Sequence, residues 1–345
     1  MNVSSLLLSW YDEHARVLPW RGIHDPYRTW VSETMLQQTR VETVLSYYNR
    51  FLSRFPDVAA LAQAPEDDVM KLWEGLGYYR RARNLQKGAR QVVETYGGVI
   101  PSDPSELLKI SGIGAYTAGA IASIAYDVPV PAVDGNVIRV VSRVAGIREN
   151  VGIPSVKRRI EQAAAELVPS ERPGDFNQAM MDLGATVCTP GTPSCERCPL
   201  TALCDAFRAG DAEDIPDLPR KNPPKEIAYD LCLIFSGERV LMRQRTETML
   251  QGLWIFPMLE GWRAPRQIPA AVKRGTGLVV TAVEPVGEAR HVFTHQVWRM
   301  KLYVMQSNVA DAPEGWRFVT RAEMDALALP TAVKKAAEVV RERLK

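Results

Sequence analysis

Residues 108–118 read LKISGIGAYTA, with Gly112 and Gly114 one residue apart between a short helical stretch (105–110) and a longer one (117–126). Glycine tolerates left-handed backbone and lets a ligand come close to the chain. The backbone N–H groups that open the second helix then offer an anion site, although a plain helix–helix corner explains a Gly-x-Gly turn as well. Working outward from this turn, the first two hundred residues predict helix after helix. Apolar residues recur at helical spacing across 30–51 (Trp30, Val31, Leu36, Val41, Val44, Leu45, Tyr48, Phe51), and 69–76, 82–96, 135–145 and 156–167 continue the pattern. Gly97-Gly98 and the stretch 170–174 punctuate it. An all-α first domain over residues 1–208 is expected.

A chain of 345 residues is longer than one ordinary domain, and its 46% hydrophobic and 24% charged residues are globular values. The net charge of +2 gives no global basicity that would announce a nucleic-acid partner. Basic residues do cluster locally, at Arg80, Arg81, Arg83, Lys87 and Arg90, and again at Arg139, Arg143, Arg148, Lys157, Arg158 and Arg159. Clusters of this kind also read as solvated helix faces, so charge decides nothing here. No apolar run reaches membrane-span length, and the opening MNVSSLLLSW has neither a basic leader nor a cleavage site. A soluble cytoplasmic chain is expected.

Residues 209–226 (AGDAEDIPDLPRKNPPKE) are proline-rich and charged, the composition of a linker. Beyond them 229–235 and 239–245 predict a hairpin, and 253–259, 278–283 and 300–304 predict further strands. The amphipathic stretch 331–344 predicts a closing helix. A second, α+β domain over 227–345 follows.

Cys188, Cys195, Cys198 and Cys204 fall in one short segment, while Cys232 stands alone on an apolar strand, where it reads as a small buried hydrophobe. Cysteines this close favour metal over disulfides. Four thiolates spaced Cys-x6-Cys-x2-Cys-x5-Cys can hold zinc or an iron–sulfur cluster, although a zinc ribbon usually shows two Cys-x2-Cys pairs.

About twenty residues after the glycine turn comes VDGNV (133–137), followed by a helix. Alone, Asp-Gly-Asn is a turn or a helix cap. The helix-hairpin-helix turn, the aspartate at this distance and the cysteine cluster downstream together resemble the endonuclease III superfamily of DNA glycosylases. The cysteine spacing is similar to that superfamily's iron–sulfur loop, which implies a structural [4Fe–4S] cluster on Cys188, Cys195, Cys198 and Cys204.

Three further features resemble the adenine glycosylase family, MutY. In WVSETMLQQTRV (30–41) the resemblance makes Glu33 the catalytic acid. Glu33 shares a helical face with Trp30, Leu36 and Gln37, an environment that raises a carboxyl pKa by desolvation, as protonating a purine nitrogen requires. At the hairpin, Tyr116 stands where bifunctional relatives carry a Schiff-base lysine, and Lys109 lies before the turn. The resemblance therefore implies hydrolysis of the glycosidic bond with the strand left largely uncut. FNQAMMDLGAT (176–186) resembles the segment lining the family's adenine pocket, so Gln178 is the implied partner of the flipped base, with Arg21, Trp30 and Leu36 beside it. GLGYYRRAR (75–83) also matches. It makes Tyr78 the wedge that fills the stack, and Gln37 and Gln38 contacts to the widowed pair. Gly112 and Gly114 would meet the DNA backbone. Asp134 would stabilise positive charge at C1′, and Asn136 and Tyr116 would orient the two carboxyl groups.

The second domain resembles the Nudix-like domain of the same family. A working Nudix hydrolase needs a glutamate-rich box to hold magnesium, and residues 260–278 (EGWRAPRQIPAAVKRGTGL) have one acidic residue, at the edge. Instead RHVFTHQ (290–296) resembles the loop that reads 8-oxoguanine, with Phe293, Thr294 and His295 as readers. Relatives often carry serine at the place of Thr294, and the hydroxyl is kept. The loop between Cys188 and Cys195 lacks the basic residue of many relatives. His291 and His295 could pair on a metal, but no third ligand is evident. The resemblance implies a multidomain protein: an all-α helix-hairpin-helix glycosylase domain with a [4Fe–4S] loop, followed by an α+β Nudix-like domain. Its implied partner is double-stranded DNA carrying A·8-oxoguanine or A·G mispairs, with no membrane, acting as a monomer in a bacterial cytoplasm at the nucleoid. The runner-up is a thymine glycosylase acting at G·T mispairs.

Overall fold

Helix α1 (Val3–His14) begins where the Asn2 side chain accepts the Ser5 N–H at 2.9 Å, and α2 (Pro26–Leu36) where Asp25 accepts from Arg28 at 2.9 Å. Then come α3 (Val41–Arg54), α4 (Val58–Gln63), α5 (Glu66–Leu72), α6 (Arg80–Tyr96), α7 (Pro104–Leu107) and α8 (Ala115–Tyr126). They are followed by α9 (Gly135–Val144), α10 (Pro154–Leu167), α11 (Pro173–Thr186) and α12 (Asp205–Ala209). The computed structural model describes residues 2–219 and 222–344, so Arg220 and Lys221 of the expected linker lie outside the described residues. No helix among them is long and apolar enough to cross a membrane.

The chain divides into two compact units, one of Met1–Gln63 with Asn84–Arg220 and one of Ala64–Arg83 with Lys221–Lys345. In the first, α8 is the central element, buried from Thr117 to Ala125. Its run of Ala, Gly and Ser lets α2 and α11 lie close on either side. Leu7, Ile124, Val137, Val141, Ile160, Phe176 and Leu183 share one core, each worth roughly 1.5–3 kcal/mol of transfer free energy when fully buried. At Gly184 of α11 a Cβ would sit 2.6 Å from the Asn136 Cβ, so glycine is what lets α11 rest on the start of α9.

The periodic stretch 30–51, expected as one helix, is two. Helix α2 stops at Leu36 and α3 restarts at Val41, with Gln38 in the left-handed region at φ 58°. Across the break the apolar residues Leu36 and Val41 are five apart, a step longer than the three or four of one helical face. Residues 210–219 of the expected linker are tied to the first unit. Arg143 Nε donates to the Ile215 carbonyl at 2.8 Å, and the Val151 N–H donates to the Asp217 carbonyl at 3.0 Å.

The second unit is a sheet of β1 (Lys225–Ser236), β2 (Arg239–Gln244), β3 (Trp254–Ile255), β4 (Met258–Glu260), β5 (Thr281–Val292), β6 (Gln296–Gln306) and β7 (Arg317–Val319). Its helices are α13 (Ile268–Thr276), α14 (Arg321–Ala326) and α15 (Lys334–Arg343). The order is β3-β2-β1-β6-β5, with β4 on β1 and β7 on β2. Strands β1 and β6 are parallel from Lys225↔Gln296 to Phe235↔Gln306. Period-two alternation sends Leu231, Leu233, Leu302 and Val304 to one face, under Ala336, Ala337 and Val340 of α15. Cys232, Ile234, Tyr303 and Met305 go to the other, under Ile268 and Val272 of α13. The expected hairpin is present, with Phe235 opposite Val240. The stretch 253–259 is two short strands, and β5 runs nine residues beyond the expected end at Val283. Helix α5 joins this unit by hydrogen bonds from Lys71 Nζ to the Leu327 carbonyl (2.9 Å) and from the Leu329 N–H to Glu74 Oε1 (3.1 Å).

Candidate active site

A cavity of about 950 Å³ opens in the first unit, bounded by the glycine turn, the end of α2, the start of α9 and faces of α10 and α11. It brings together Arg21, Glu33, Leu36, Gln37, Gln38, Gly112, Gly114, Tyr116, Asp134 and Asn136. Sequence reasoning did not anticipate Arg16, Trp20, Lys157 and Met181, which also line it.

Glu33 sits on the inner face of α2, 5% exposed, and its Oε2 accepts a short hydrogen bond from the Tyr116 hydroxyl. Burial pushes its carboxyl above the ordinary range. The Tyr116 bond and the Arg21 charge pull it back, and Asp134 adds to the rise. The Tyr116 hydroxyl is itself driven far up by burial and by the two carboxyl groups.

Asp134 is the N-cap of α9: its Oδ1 accepts the Val137 N–H at 2.8 Å, and its Oδ2 accepts from Asn136 Nδ2 at 2.8 Å. The cap reading and the catalytic reading therefore fall on one carboxyl. Burial raises Asp134 as well, but two backbone N–H groups, the Asn136 amide and the Arg139 charge oppose it. Four stabilising contacts favour its anion, whereas Glu33 has two. Asn136 Oδ1 accepts from Arg139 Nη2 at 2.8 Å, and Arg139 also donates to the carbonyls of Gly184 (2.6 Å) and Cys188 (2.7 Å).

Gly112 has φ +86°, and a Cβ there would lie 2.9 Å from the Asn84 Cβ, so the turn demands glycine twice over. Gly114 caps α8 without a side-chain bond, which leaves the first N–H groups of that helix for an anion.

Two expected pocket residues are not in the wall. Trp30 is fully buried and its ring lies against α6 at Gly88, so it is core, and Trp20 is the indole at the cavity. Gln178 is buried on α11 one turn before Met181 and does not line the cavity, and most of 176–186 is core around it. Lys109 pairs with Glu106 at 2.6 Å and is absent from the wall, where the lysine is Lys157, exposed and 3.8 Å from Glu161.

In the second unit residues 293–295 form the turn between β5 and β6, closed by the Phe293 N–H on the Gln296 carbonyl at 2.7 Å. Phe293 is fixed edge-on to His291 (4.4 Å) and Trp298 (4.9 Å), while Thr294 and His295 are exposed. Tyr78, left-handed at φ 48° and 47% exposed, lies with its hydroxyl 3.0 Å from that of Thr294. Helix α13, at the place of a Nudix box, carries no acidic residue.

Cys188, Cys195, Cys198 and Cys204 line one enclosed space with Val140, Leu183 and Leu200, and none is in a disulfide. Arg143 encloses it, donating to Cys188 Sγ (3.3 Å) and to the carbonyls of Thr189 (2.9 Å) and Gly191 (3.2 Å). Burial and neighbouring thiols push Cys195 and Cys204 up, and Cys198 to about 11. Among the described residues no three His, Cys, Asp or Glu side chains converge as one ion would need.

The family profile described as HhH-GPD superfamily base excision DNA repair protein matches residues 31–170, and that of the NUDIX domain matches 231–339. The Adenine DNA glycosylase of Mus musculus is 37% identical, over 96% of this chain and 76% of its own. Among solved structures, a thermostable thymine-DNA glycosylase is 29% identical with a TM-score of 0.54, covering 60% of this chain and 95% of its own. A trapped covalent intermediate of Endonuclease III with DNA is 25% identical with a TM-score of 0.51, covering 60% and 94%. The thymine glycosylase leaves two fifths of this chain unmatched, whereas the adenine glycosylase spans both units.

Proposed function

This chain belongs to the adenine DNA glycosylase family, and from that premise we propose that it flips an adenine opposite 8-oxoguanine or guanine out of duplex DNA and hydrolyses its N-glycosidic bond. The observation that carries the reading is the pair of carboxyl groups in one cavity with opposed surroundings: Glu33 dry and hydrogen-bonded by Tyr116, Asp134 held by N–H donors.

Extruding the base costs a few kcal/mol, less at a mispair, and Tyr78 fills the gap it leaves. Glu33 keeps its proton and delivers it to N7 of adenine, which turns the base into a better leaving group. As C1′ takes on oxocarbenium character, the Asp134 carboxylate offsets the developing charge. Tyr116 fixes Glu33, and Asn136 fixes Asp134. Glu33, now ionised, accepts a proton from the attacking water. Two carboxyl groups in opposite protonation states are what glycoside chemistry asks for. Tyr116 stands where a Schiff-base amine would, so the abasic strand would be left largely uncut.

Arg21, Leu36, Trp20 and Met181 form the wall against which adenine would lie, and Gln37 and Gln38 reach the widowed pair. Thr294 and His295, on the tip braced by Phe293, would read 8-oxoguanine. Cys188, Cys195, Cys198 and Cys204 would hold a [4Fe–4S] cluster, which when bound would staple a segment without a core of its own. The protein would act as a monomer on double-stranded DNA, in the cytoplasm at the nucleoid.

The test is single-turnover cleavage of a duplex with one adenine opposite 8-oxoguanine. The parent should leave an alkali-labile but intact strand, and Glu33→Gln and Asp134→Asn should each lose roughly a hundredfold or more. Release of thymine opposite guanine, with adenine untouched, would overturn the reading.

A further inference from the structure

Asp182 of α11 is 1% exposed and lines no part of the cavity, yet it holds two of the cations that do. Its Oδ1 accepts from Arg16 Nε (2.9 Å), Arg16 Nη2 (2.5 Å) and Arg21 Nη2 (2.8 Å), and its Oδ2 takes the Arg16 N–H at 3.4 Å. Arg21 is fixed from the other side by Nη1 on the Tyr11 hydroxyl at 2.8 Å. The loop between α1 and α2 is thereby pinned to α11 at two residues of the cavity wall.

Stability alone is a poor reason for this arrangement, because a buried ion pair replaced by well-packed apolar residues is often neutral or stabilising. Its position gives a better one. Arg21 is the cation that acts on Glu33, and it pulls that carboxyl toward ionisation. The other groups on Glu33 are Tyr116 from α8 and Asp134 at the start of α9, while α11 presents the apolar Met181 to the cavity. Arg16, Arg40, Lys157 and Glu161 stand elsewhere in the wall, and Tyr11 and Asp175 stand near the arginine pair.

We propose that Asp182 is a positioning residue for base release, holding Arg16 and Arg21 in the cavity wall and offsetting their charge where Glu33 works. The proposal rests on Glu33 as the proton donor. Without Asp182 the two guanidinium charges stand uncompensated, and a carboxyl in a more positive field gives up its proton at lower pH. Base release, which needs the protonated acid, then fails earlier as pH rises.

The experiment is the pH profile of single-turnover adenine release by the full chain, for the parent, Asp182→Asn, Asp182→Glu and Glu33→Gln, with thermal melting of each. Asp182→Asn keeps the shape and one acceptor oxygen and removes the charge. Its basic limb should move down by about half a unit to one unit, a roughly threefold to tenfold loss on that limb with little loss on the plateau below it. Asp182→Glu should bring the limb back. A uniform loss at every pH with the limb unmoved would mean a purely structural role and overturn the proposal, as would an unchanged profile. Should Asp182→Asn not fold, Arg21→Gln carries the test in the opposite sense: its limb should move up, and an unmoved limb overturns the proposal. Glu33→Gln separates the two claims. If it releases adenine at the parent rate, the acid reading itself falls. If it is inactive while the Asp182→Asn limb stays in place, only the role of Asp182 falls.

Discussion

The cavity of the first unit and the hairpin tip of the second solve opposite problems. Glu33 is sunk beneath α2, bonded to Tyr116 and shielded from water, and Asp134 is consumed as a helix cap before it does any chemistry. Thr294 and His295 stand exposed on a turn whose position is set by strand register and by one braced ring, Phe293. On the proposed function, an acid that must keep its proton needs dryness, whereas a group that would read a base in a duplex needs reach. The first arrangement is bought with stability, and the second costs little.

That contrast can be broken most sharply at Glu33. The folded state holds its carboxyl above the unfolded value, so it binds a proton over a window where the unfolded chain has lost its own. Glu33 therefore lowers stability increasingly as pH rises through that window, and the penalty levels off above the folded value. Glu33→Gln should abolish base release yet melt about 2–4 °C higher than the parent at pH 8, with the difference shrinking toward pH 4. A melting point that falls at pH 8 would mean that the carboxyl stabilises the fold. Next in size is Gly112→Ala. Positive φ and the Asn84 contact leave no room for a methyl group, so duplex affinity in a binding titration should fall about tenfold or more while the fold remains. Binding at parent affinity would remove the turn from the DNA surface. The smallest effect belongs to Thr294→Ala. Loss of one hydroxyl hydrogen bond should reduce the preference for 8-oxoguanine over guanine by about threefold to tenfold, with no change in melting. A fall in melting temperature would show the tip to be a packed element after all.

Much of this was legible beforehand, for reasons particular to each part. The glycine turn announced itself because Gly112 alone satisfies its backbone, and the cysteine segment because thiols gather for few other purposes. The break between α2 and α3 left only a faint mark, the five-residue step from Leu36 to Val41 across the polar Gln37-Gln38-Thr39-Arg40. Trp30 and Trp20 are the same residue type on adjoining segments, and only packing against Gly88 tells which is core. Gln178 lies outside the cavity lining for a similar cause: a helix buried nearly all round gives no sign of which face meets the cavity. The outer part of β5 is mostly exposed and interrupted by bulges near Pro285, so it lacks the alternation that marks a strand. Asp182 has no local signature within 176–186, because its meaning lies in two arginines more than 150 residues away.

The grouping of Ala64–Arg83 with the C-terminal sheet bears on how the chain is made. This segment leaves the ribosome long before the strands it joins, and Lys71 and Glu74 must wait for Leu327 and Leu329 to be synthesised. Nascent chains released before that point would carry a stretch still lacking its partners, a target for chaperones and proteases. Shortening the gene from its 3′ end would therefore remove more than the sheet of the second unit: it would orphan a piece of the amino-terminal half.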